Sequence, residues 1–333
     1  MAATRRPATR GDDAPHAVAL YDSEESLRAR VVPYLREGLD RGETVVAVVS
    51  DAAQRVLRSA LGGDADRVQW RAGEVSYQRL GAMFEGFRQF LADQRAAGVA
   101  MRLLTQNDVG GGPDRVGAYL RNEAMTNEVY RPYGYPWACL YDRRAHTEET
   151  LRQVREVHPR LLEPGGRSIR SSAYVMPGDF VARGARLAPV PQVVELDVEL
   201  TGPGELARLR RLLGSWADGH GAEGDDAHDV LIAVSEAATN ALQHGAPPVR
   251  VQAFTDGGAA RVRVHNPGSA AVFATAGYHH PNTAGGGGIG LWLARQLADV
   301  VTTHTDRAGT TVELSFPLIV SHSRRSAGSA TGG

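Results

Sequence analysis

The sequence predicts two folded units of different class: an α/β unit with a mainly parallel sheet flanked by helices, then an α+β two-layer unit with a largely antiparallel sheet. Three observations carry this. The first half alternates short β-branched runs with longer stretches of helical period, the pattern of parallel strands joined by right-handed helical crossovers. A run rich in proline and glycine, "MPGDFVARGARLAPVPQ" at 176–192, then interrupts the periodicity. Beyond it strands outnumber helices and follow one another through short turns, which collects the helices on one face of an antiparallel sheet.

Within the first unit, "HAVALY" (16–21) reads as a strand and residues 24–40 as a helix, with Leu27, Val31, Tyr34, Leu35 and Leu39 three to four apart. "TVVAVVS" (44–50) is apolar on both faces, as a central parallel strand must be, and "AAQRVLRSAL" follows as a helix. Strand "RVQW", a helix over 77–97, strand "AMRLLTQ", a helix over 114–129, strand "WACLYD", a helix over 147–157 and strand "SSAYV" complete the series. In the second unit the order is strand "VVELDVEL", helices over 204–218 and 225–243, strand "VRVQAF", turn "TDGGAA" and strand "RVRVHN". A glycine-rich loop, a helix over 290–298 and strands "VVTTHT" and "TTVELSF" close it. The expected organisation is therefore a disordered 1–13, a domain over 14–180, a linker over 181–191, a domain over 192–320, and a small, polar, disordered tail over 321–333.

Composition narrows the function classes. A formal net charge of −1 gives no electrostatic case for direct nucleic-acid or membrane-surface binding. The charged opening lacks the apolar core of a signal peptide, and no apolar run approaches the roughly 18–20 residues that span a bilayer, so a cytoplasmic, soluble protein is expected. Cys139 is the single cysteine, which excludes an intrachain disulfide and a multi-thiolate metal cluster; in "PWACLYD" it reads as a small buried strand residue rather than a redox sensor. All 37 basic residues are arginine. Without lysine there is no Walker-type phosphate loop and no Schiff-base chemistry.

The candidate chemistry lies in the second unit. In "DAHDVLIAVSEAATNALQHG" the apolar stripe Val230, Leu231, Val234, Ala238, Ala241 and Leu242 leaves Glu236, Asn240 and His244 on a second stripe at successive i+4 positions. One helical edge thus presents a carboxylate, an amide oxygen and an imidazole. "VRVHNPGSA" runs a strand into a turn at Asn266-Pro267-Gly268. "TAGGGGIGLWLARQL" places glycines at 285–288 and 290 immediately before a helix, where bare backbone N–H groups and the positive end of the helix dipole suit a phosphate. Ile289, Leu291, Trp292, Leu293 and Leu297 read as that helix's buried side, and Gly309-Thr310 opens the final strand.

In this order and spacing these stretches resemble the ATP-binding domain of the gyrase, Hsp90, histidine kinase and MutL superfamily, the Bergerat fold, over about 130 residues. The branch they are most similar to is the anti-sigma factor serine kinases of bacterial stress and sporulation switches. Glu236-x-x-x-Asn240 is similar to the family's N box, Asn266-Pro267-Gly268 to its adenine box, Gly286-x-Gly288-x-Gly290-Leu291 to its second glycine box, and Gly309-Thr310 to its terminal threonine motif. The resemblance implies ATP and Mg²⁺ as cofactors. Asn240 would coordinate Mg²⁺, Glu236 would act as general base, the backbone of Gly286, Gly287, Gly288, Ile289, Gly290 and Leu291 would cradle the phosphates, and Asn266, Gly268 and Thr310 would line the adenine pocket. The family has an aspartate where Asn266 stands; asparagine keeps an acceptor oxygen but no charge.

"HAVALYDSEESL", "VVPYLREGLDRGETVVAVVS", "WACLYD" and "VREVHPRLLEPG" resemble the MEDS sensory domain of methanogen and methylotroph regulators, related in fold to the RecA-like ATPases. "YDSEES" stands where a glycine-rich phosphate loop would follow the first strand, so no nucleotide hydrolysis is expected there, and a small-molecule or partner signal is implied. Tyr21, Trp137 and Tyr141 read as core residues rather than a pocket lining. The two resemblances together imply an anti-sigma factor and ATP-dependent serine/threonine kinase, with an RNA polymerase sigma factor and an antagonist protein as partners. Kinases of this branch commonly form homodimers through the ATPase domain. The alternatives are a partner-switching protein that regulates by sequestration with weak or no ATP binding, favoured by Asn266, and a histidine kinase with His158 in "REVHPRLL" as acceptor. No long two-helix heptad pattern surrounds His158, whose simpler role is to end a helix. His279 and His280 fall in the lid that the resemblance implies.

Overall fold

The computed structural model describes residues 16–72, 79–106, 113–184, 187, 189–222, 224–256, 258–268, 274–281 and 288–317. The ends expected to be disordered, 1–13 and 321–333, lie outside these residues. The chain divides into two compact units, one ending at Gly184 and the other beginning at Ala185, with residues 78–82 grouped with the second.

The first unit runs β1 (His16–Tyr21), α1 (Glu24–Asp40), β2 (Thr44–Val49), α2 (Asp51–Leu61), β3 (Gln69–Ala72), α3 (Leu80–Ala96), β4 (Met101–Thr105), α4 (Pro113–Val129), β5 (Trp137–Asp142), α5 (Glu148–Val157), β6 (Arg160–Leu162), β7 (Ser168–Arg170) and α6 (Pro177–Gly184). Its seven strands lie in the order β3-β2-β4-β5-β1-β6-β7, parallel throughout except for the antiparallel β6–β7 pair. Local chemistry starts the helices as the sequence suggests. Ser23 and Ser26 exchange side-chain hydrogen bonds with each other's backbone N–H in a capping box for α1, and Ser50 and Thr147 cap α2 and α5. On one face of the sheet Ala19, Val45, Ala47, Val49, Leu104 and Leu140 share a core with Leu27, Val31 and Leu35 of α1 and Leu57 of α2.

Two expectations fail here. "SSAYV" is not a strand; the sheet instead continues through β6 and β7, whose turn uses Gly165 and Gly166 at positive φ. Backbone pairing of β6 with β1 sets this, reinforced by Arg160, which donates to the Ser168 hydroxyl at 2.6 Å and to the Ser168 carbonyl at 2.7 Å. The second correction concerns the proline- and glycine-rich run, whose first half is helix α6. Pro177 opens it, where a missing N–H costs nothing and a fixed φ already suits the helix, and Phe180 and Val181 are buried.

The second unit runs β8 (Leu196–Leu200), α7 (Leu206–Gly219), α8 (Asp225–His244), β9 (Val249–Asp256), β10 (Ala259–Asn266), α9 (Ile289–Leu297), β11 (Val300–Asp306) and β12 (Gly309–Pro317). Its strands lie in the order β11-β12-β10-β9-β8, every neighbouring pair antiparallel. Leu209 and Leu213 of α7, Ala233, Val234, Ala237 and Ala238 of α8, and Leu291 and Ala294 of α9 share one core with Val249, Val251, Val262 and Leu314 of the sheet. This is the two-layer arrangement expected of a Bergerat-type fold. Among the described residues no helix is long and apolar enough to cross a membrane.

Among the polar groups built into the first unit's interior is an arginine held by ion pairs. Arg102 on β4 is 3 % exposed, donates to Glu43 at 2.7 Å, Glu37 at 2.9 Å and the Tyr34 carbonyl at 3.0 Å, and lies 4.6 Å over the Tyr34 ring. The close approach needs Gly38, where a Cβ would sit 2.8 Å from Arg102 Cδ. Replacing Arg102 by alanine strands the Glu43 carboxylate and empties the space. We expect Arg102→Ala to lower the first unit's stability by about 3 kcal/mol, read as a shift of its urea unfolding transition; an unshifted transition would show the cluster to be incidental.

Candidate functional site

Helix α8 carries the first two candidate residues. Val230, Ala233, Val234, Ala237 and Ala238 bury its inner side, which leaves Glu236 and Asn240 half-buried along the edge while His244, in the last turn, is exposed. The triple read from the sequence is therefore a pair. Across from it begins α9, with Gly288 as its N-cap and a buried Gly290 in its first turn. A Cβ on Gly290 would lie 2.7 Å from Glu236 Oε2, 2.8 Å from Asn240 Nδ2 and 3.3 Å from Asn240 Oδ1. Only a residue without a side chain lets the start of α9 meet α8 so closely. The free N–H groups and positive dipole end of a helix thus stand beside a carboxylate and an amide oxygen.

The buried side of α9 differs from the sequence expectation. Leu291, Ala294 and Ala298 are the positions driven into the core; Trp292, Leu293 and Leu297 are half-buried, and Ile289 is 59 % exposed. Ile289 precedes the stripe because the helix starts there. Gly286 and Gly287 lie outside the described residues.

The second part of the site is the corner where β10 ends. Asn266 pairs with Thr310 of β12, and the two are 5 % and 2 % exposed. Thr310 Oγ1 is 3.1 Å from Thr305 Oγ1 on β11. Three glycines make room for Asn266. A Cβ on Gly245 would fall 1.8 Å from Asn266 Nδ2, one on Gly268 would fall 3.2 Å from the same atom, and one on Gly309 would fall 2.0 Å from Asn266 O. Gly309 also holds φ at +134°, open to glycine almost alone. His265 turns to the opposite sheet face, as expected from strand alternation, with Nδ1 3.0 Å from the Thr311 hydroxyl.

Sequence reasoning missed two contributors. Gly245, directly after α8, was visible only as a helix-ending glycine. Arg295 is 6 % exposed on α9 and clamps the segment before the glycine loop: Nε donates to the Ala276 carbonyl at 3.0 Å, Nη1 to the Val301 carbonyl at 2.9 Å, and the guanidinium lies 3.9 Å over the Tyr278 ring. Its signal was a charge four residues after Leu291, on an otherwise apolar stripe. In the same segment Gly277 takes φ +78° and has no room for a Cβ against the Leu291 backbone, and His280 meets Trp292 edge-on at 5.1 Å.

Of the first unit's candidates, Tyr21, Trp137 and Tyr141 are core residues at 7 %, 6 % and 5 % exposure. Cys139 is buried, and His158, the C-cap of α5, is fully buried with Nδ1 donating to the Val154 carbonyl at 2.7 Å.

The second unit's arrangement suits a nucleotide with its magnesium. The cradle that a Gly290 side chain would fill opens on Asn240 Oδ1, a hard oxygen ligand of the kind Mg²⁺ takes, and the α9 N-terminus offers N–H donors to phosphate oxygens.

Residues 15–159 match the family model of MEDS, the methanogen/methylotroph, DcmR sensory domain, and residues 201–316 match that of the histidine kinase-like ATPase domain. Among solved structures the chain is similar to the RsbU and RsbW domains of Rv1364c from Mycobacterium tuberculosis, at 24 % identity and a TM-score of 0.28 over 39 % of this chain and 33 % of that one. It is also similar to a chain of the SiaB-SiaC complex from Pseudomonas aeruginosa, at 14 % identity and a TM-score of 0.31 over 38 % of this chain and 90 % of that one. The match thus spans about a third of the first of these proteins. No curated protein matches the chain.

The contact at Gly290 gives a direct test. Alanine favours a helix over glycine by about 1 kcal/mol, and the atoms it would strike are the mobile ends of two side chains, so Gly290→Ala should fold. Both side chains would be turned aside. We expect a melting temperature close to wild type but Mg·ATP affinity at least about tenfold weaker, about 1.4 kcal/mol, by thermal-shift titration; equal affinity would detach this contact from the site.

Proposed function

We propose that this chain, which joins a MEDS domain to a histidine kinase-like ATPase domain, is an ATP-dependent protein serine/threonine kinase and anti-sigma factor in a partner-switching pathway. The observation that carries the reading is the pairing of Glu236 and Asn240 on α8 against the bare first turn of α9. Bound Mg·ATP supplies the phosphoryl group. The chain's residues do the rest: Asn240 Oδ1 holds the metal, and Gly286 to Leu291 hold the phosphates through backbone N–H groups. Asn266, Gly268 and Thr310 receive the adenine edge. Glu236 orients the hydroxyl of a serine or threonine on the antagonist protein and accepts its proton as its oxygen bonds to the γ-phosphorus and the β–γ bridging P–O bond breaks, ADP leaving. The sigma factor is the protein held until the antagonist competes for the same domain, and the MEDS domain shifts that choice in response to a small-molecule or partner signal. The domain boundaries we propose are 14–180 and 192–320, and the assembly a homodimer through the ATPase domain.

Asn266 favours a second reading, a partner-switching protein that regulates by sequestration and holds ATP weakly. A neutral amide accepts a hydrogen bond from the adenine amino group but lacks the charge assistance of a carboxylate. The histidine kinase reading loses support, because His158 is fully buried and its Nδ1 is committed to a backbone carbonyl.

Radiolabelled transfer from ATP to candidate antagonist proteins separates the readings. Wild type is expected to form acid-stable phosphoserine or phosphothreonine on a partner. Glu236→Ala is expected to lose transfer by about a hundredfold or more with Mg·ATP binding retained. A wild type that binds Mg·ATP yet labels no antagonist would leave the sequestration reading in place. Asn266→Asp supplies the second measurement: restoring the charge should tighten ATP about tenfold, and an unchanged affinity would remove Asn266 from the adenine pocket.

A further inference from the structure

The first unit buries four side chains for which phosphoryl transfer has no use: His16, Glu123, Cys139 and His158. They come from four elements. His16 begins β1, Cys139 lies on the neighbouring parallel strand β5, Glu123 projects from α4, and His158 ends α5. With His16 opposite Trp137 and Val18 opposite Cys139, strand alternation puts His16 and Cys139 on the same sheet face. None of the four is more than 4 % exposed, and one ligand atom from each lies within 4.8 Å of all the others.

Hydrogen bonds on the outside of the cluster determine which atoms face inward. The Asn127 amide nitrogen donates to the Ala124 carbonyl at 3.0 Å and the Val157 carbonyl at 2.8 Å, so Asn127 Oδ1 is left to accept from His16 Nδ1 at 3.1 Å. His16 therefore carries its proton on Nδ1 and turns a bare Nε2 to Cys139 Sγ, 3.3 Å away. His158 Nδ1 donates to the Val154 carbonyl at 2.7 Å, which turns its Nε2 toward Glu123 Oε1 at 3.5 Å. The other Glu123 oxygen accepts from the Tyr141 hydroxyl at 2.5 Å. The Trp137 indole donates to Thr105 Oγ1 at 2.7 Å, leaving the Thr105 O–H to donate to Cys139 Sγ at 3.4 Å.

Two imidazole lone pairs, a carboxylate oxygen and a sulfur thus converge. Glu123 Oε1 and His158 Nε2 are wholly buried and make no hydrogen bond. Two acceptors facing one another in a dry interior are costly unless a cation or a shared proton lies between them. The geometry points to a buried structural site for a four-coordinate divalent transition metal, zinc by its ligand chemistry, held by His16 Nε2, Glu123 Oε1, Cys139 Sγ and His158 Nε2. Zinc accepts this mixed set in a tetrahedron, where bonds of about 2.0–2.3 Å put ligands about 3.3–3.8 Å apart. The separations of 3.3 Å and 3.5 Å between neighbouring ligand atoms fit that frame, and the widest, up to 4.8 Å, would close by about 1 Å on binding. Asn127, Val154 and Tyr141 supply the outer partners that fix histidine tautomers and hold a ligating carboxylate. Binding releases the thiol proton and ties two strands to two helices, so the metal stabilises the sensory domain itself.

The test uses the full chain, freed of metal with a chelator and titrated anaerobically with cobalt(II) as a spectroscopic stand-in for zinc. We expect one cobalt per chain, tetrahedral visible bands and a thiolate-to-cobalt charge-transfer band in the near ultraviolet, all displaced by zinc. Cobalt at Glu236 and Asn240 would give no thiolate band. Cys139→Ser should lose that band, and Asn127→Ala, which keeps all four ligands, should weaken zinc binding by about 10–100-fold. Zinc should raise the melting temperature of wild type and not of Cys139→Ser, with circular dichroism confirming that both fold. A folded wild type that takes up neither cobalt nor zinc at equimolar metal would overturn the site and assign the cluster to a proton shared by Glu123 and His158. So would a cobalt spectrum unchanged in Cys139→Ser.

Discussion

A single missing side chain sets the spacing on which the second domain's site depends. At Gly290 a hydrogen atom stands where a Cβ would press on the Glu236 carboxylate and the Asn240 amide. The first turn of α9 can therefore sit directly against α8, and the helix dipole meets a carboxylate and an amide oxygen at contact range rather than across a layer of side chains. The approach is held from behind. Leu291, Ala294 and Ala298 anchor α9 in the core, and Arg295 ties it to the carbonyls of Ala276 and Val301.

The Asn266 corner uses glycine differently. Here Gly245 and Gly268 bring backbone onto the buried Asn266 amide, and Gly309 packs against the Asn266 backbone carbonyl. Burying a carboxylate in that corner would cost more than burying an amide, because the charged form gives up more hydration. On the proposed function, asparagine where the resembling family has aspartate gives up charge assistance to the adenine in return for an easier burial. This exchange is what makes the sequestration reading physically coherent beside the kinase reading.

Much of this was legible in one dimension. Periodicity located most strands and helices because burial of a face imposes a period of two or 3.6 residues, and the i+4 spacing put Glu236 and Asn240 on one edge. What failed had local causes. "SSAYV" is β-branched and aromatic enough for a strand, but the neighbouring hairpin took the place at the sheet edge. Pro177 read as a breaker although, at a first turn, it starts a helix. Arg295 was hidden because a buried charge is recognised by the carbonyls it reaches, not by its sequence position. The cluster in the first domain was invisible for a similar reason. His16 lies 111 residues from Asn127 and 123 from Cys139. No spacing rule joins them; only the parallel pairing of β1 with β5 under α4 and α5 does.

On the proposed function, α8, β10, the start of α9 and β12 together bind nucleotide through magnesium. Isothermal calorimetry of ATP into the protein, with and without Mg²⁺, tests this. The expected result is a saturable, magnesium-dependent heat at one site per chain that Asn240→Ala abolishes while the protein stays folded. A folded wild type that gives no heat with Mg·ATP, or a heat unchanged by Asn240→Ala, would contradict it.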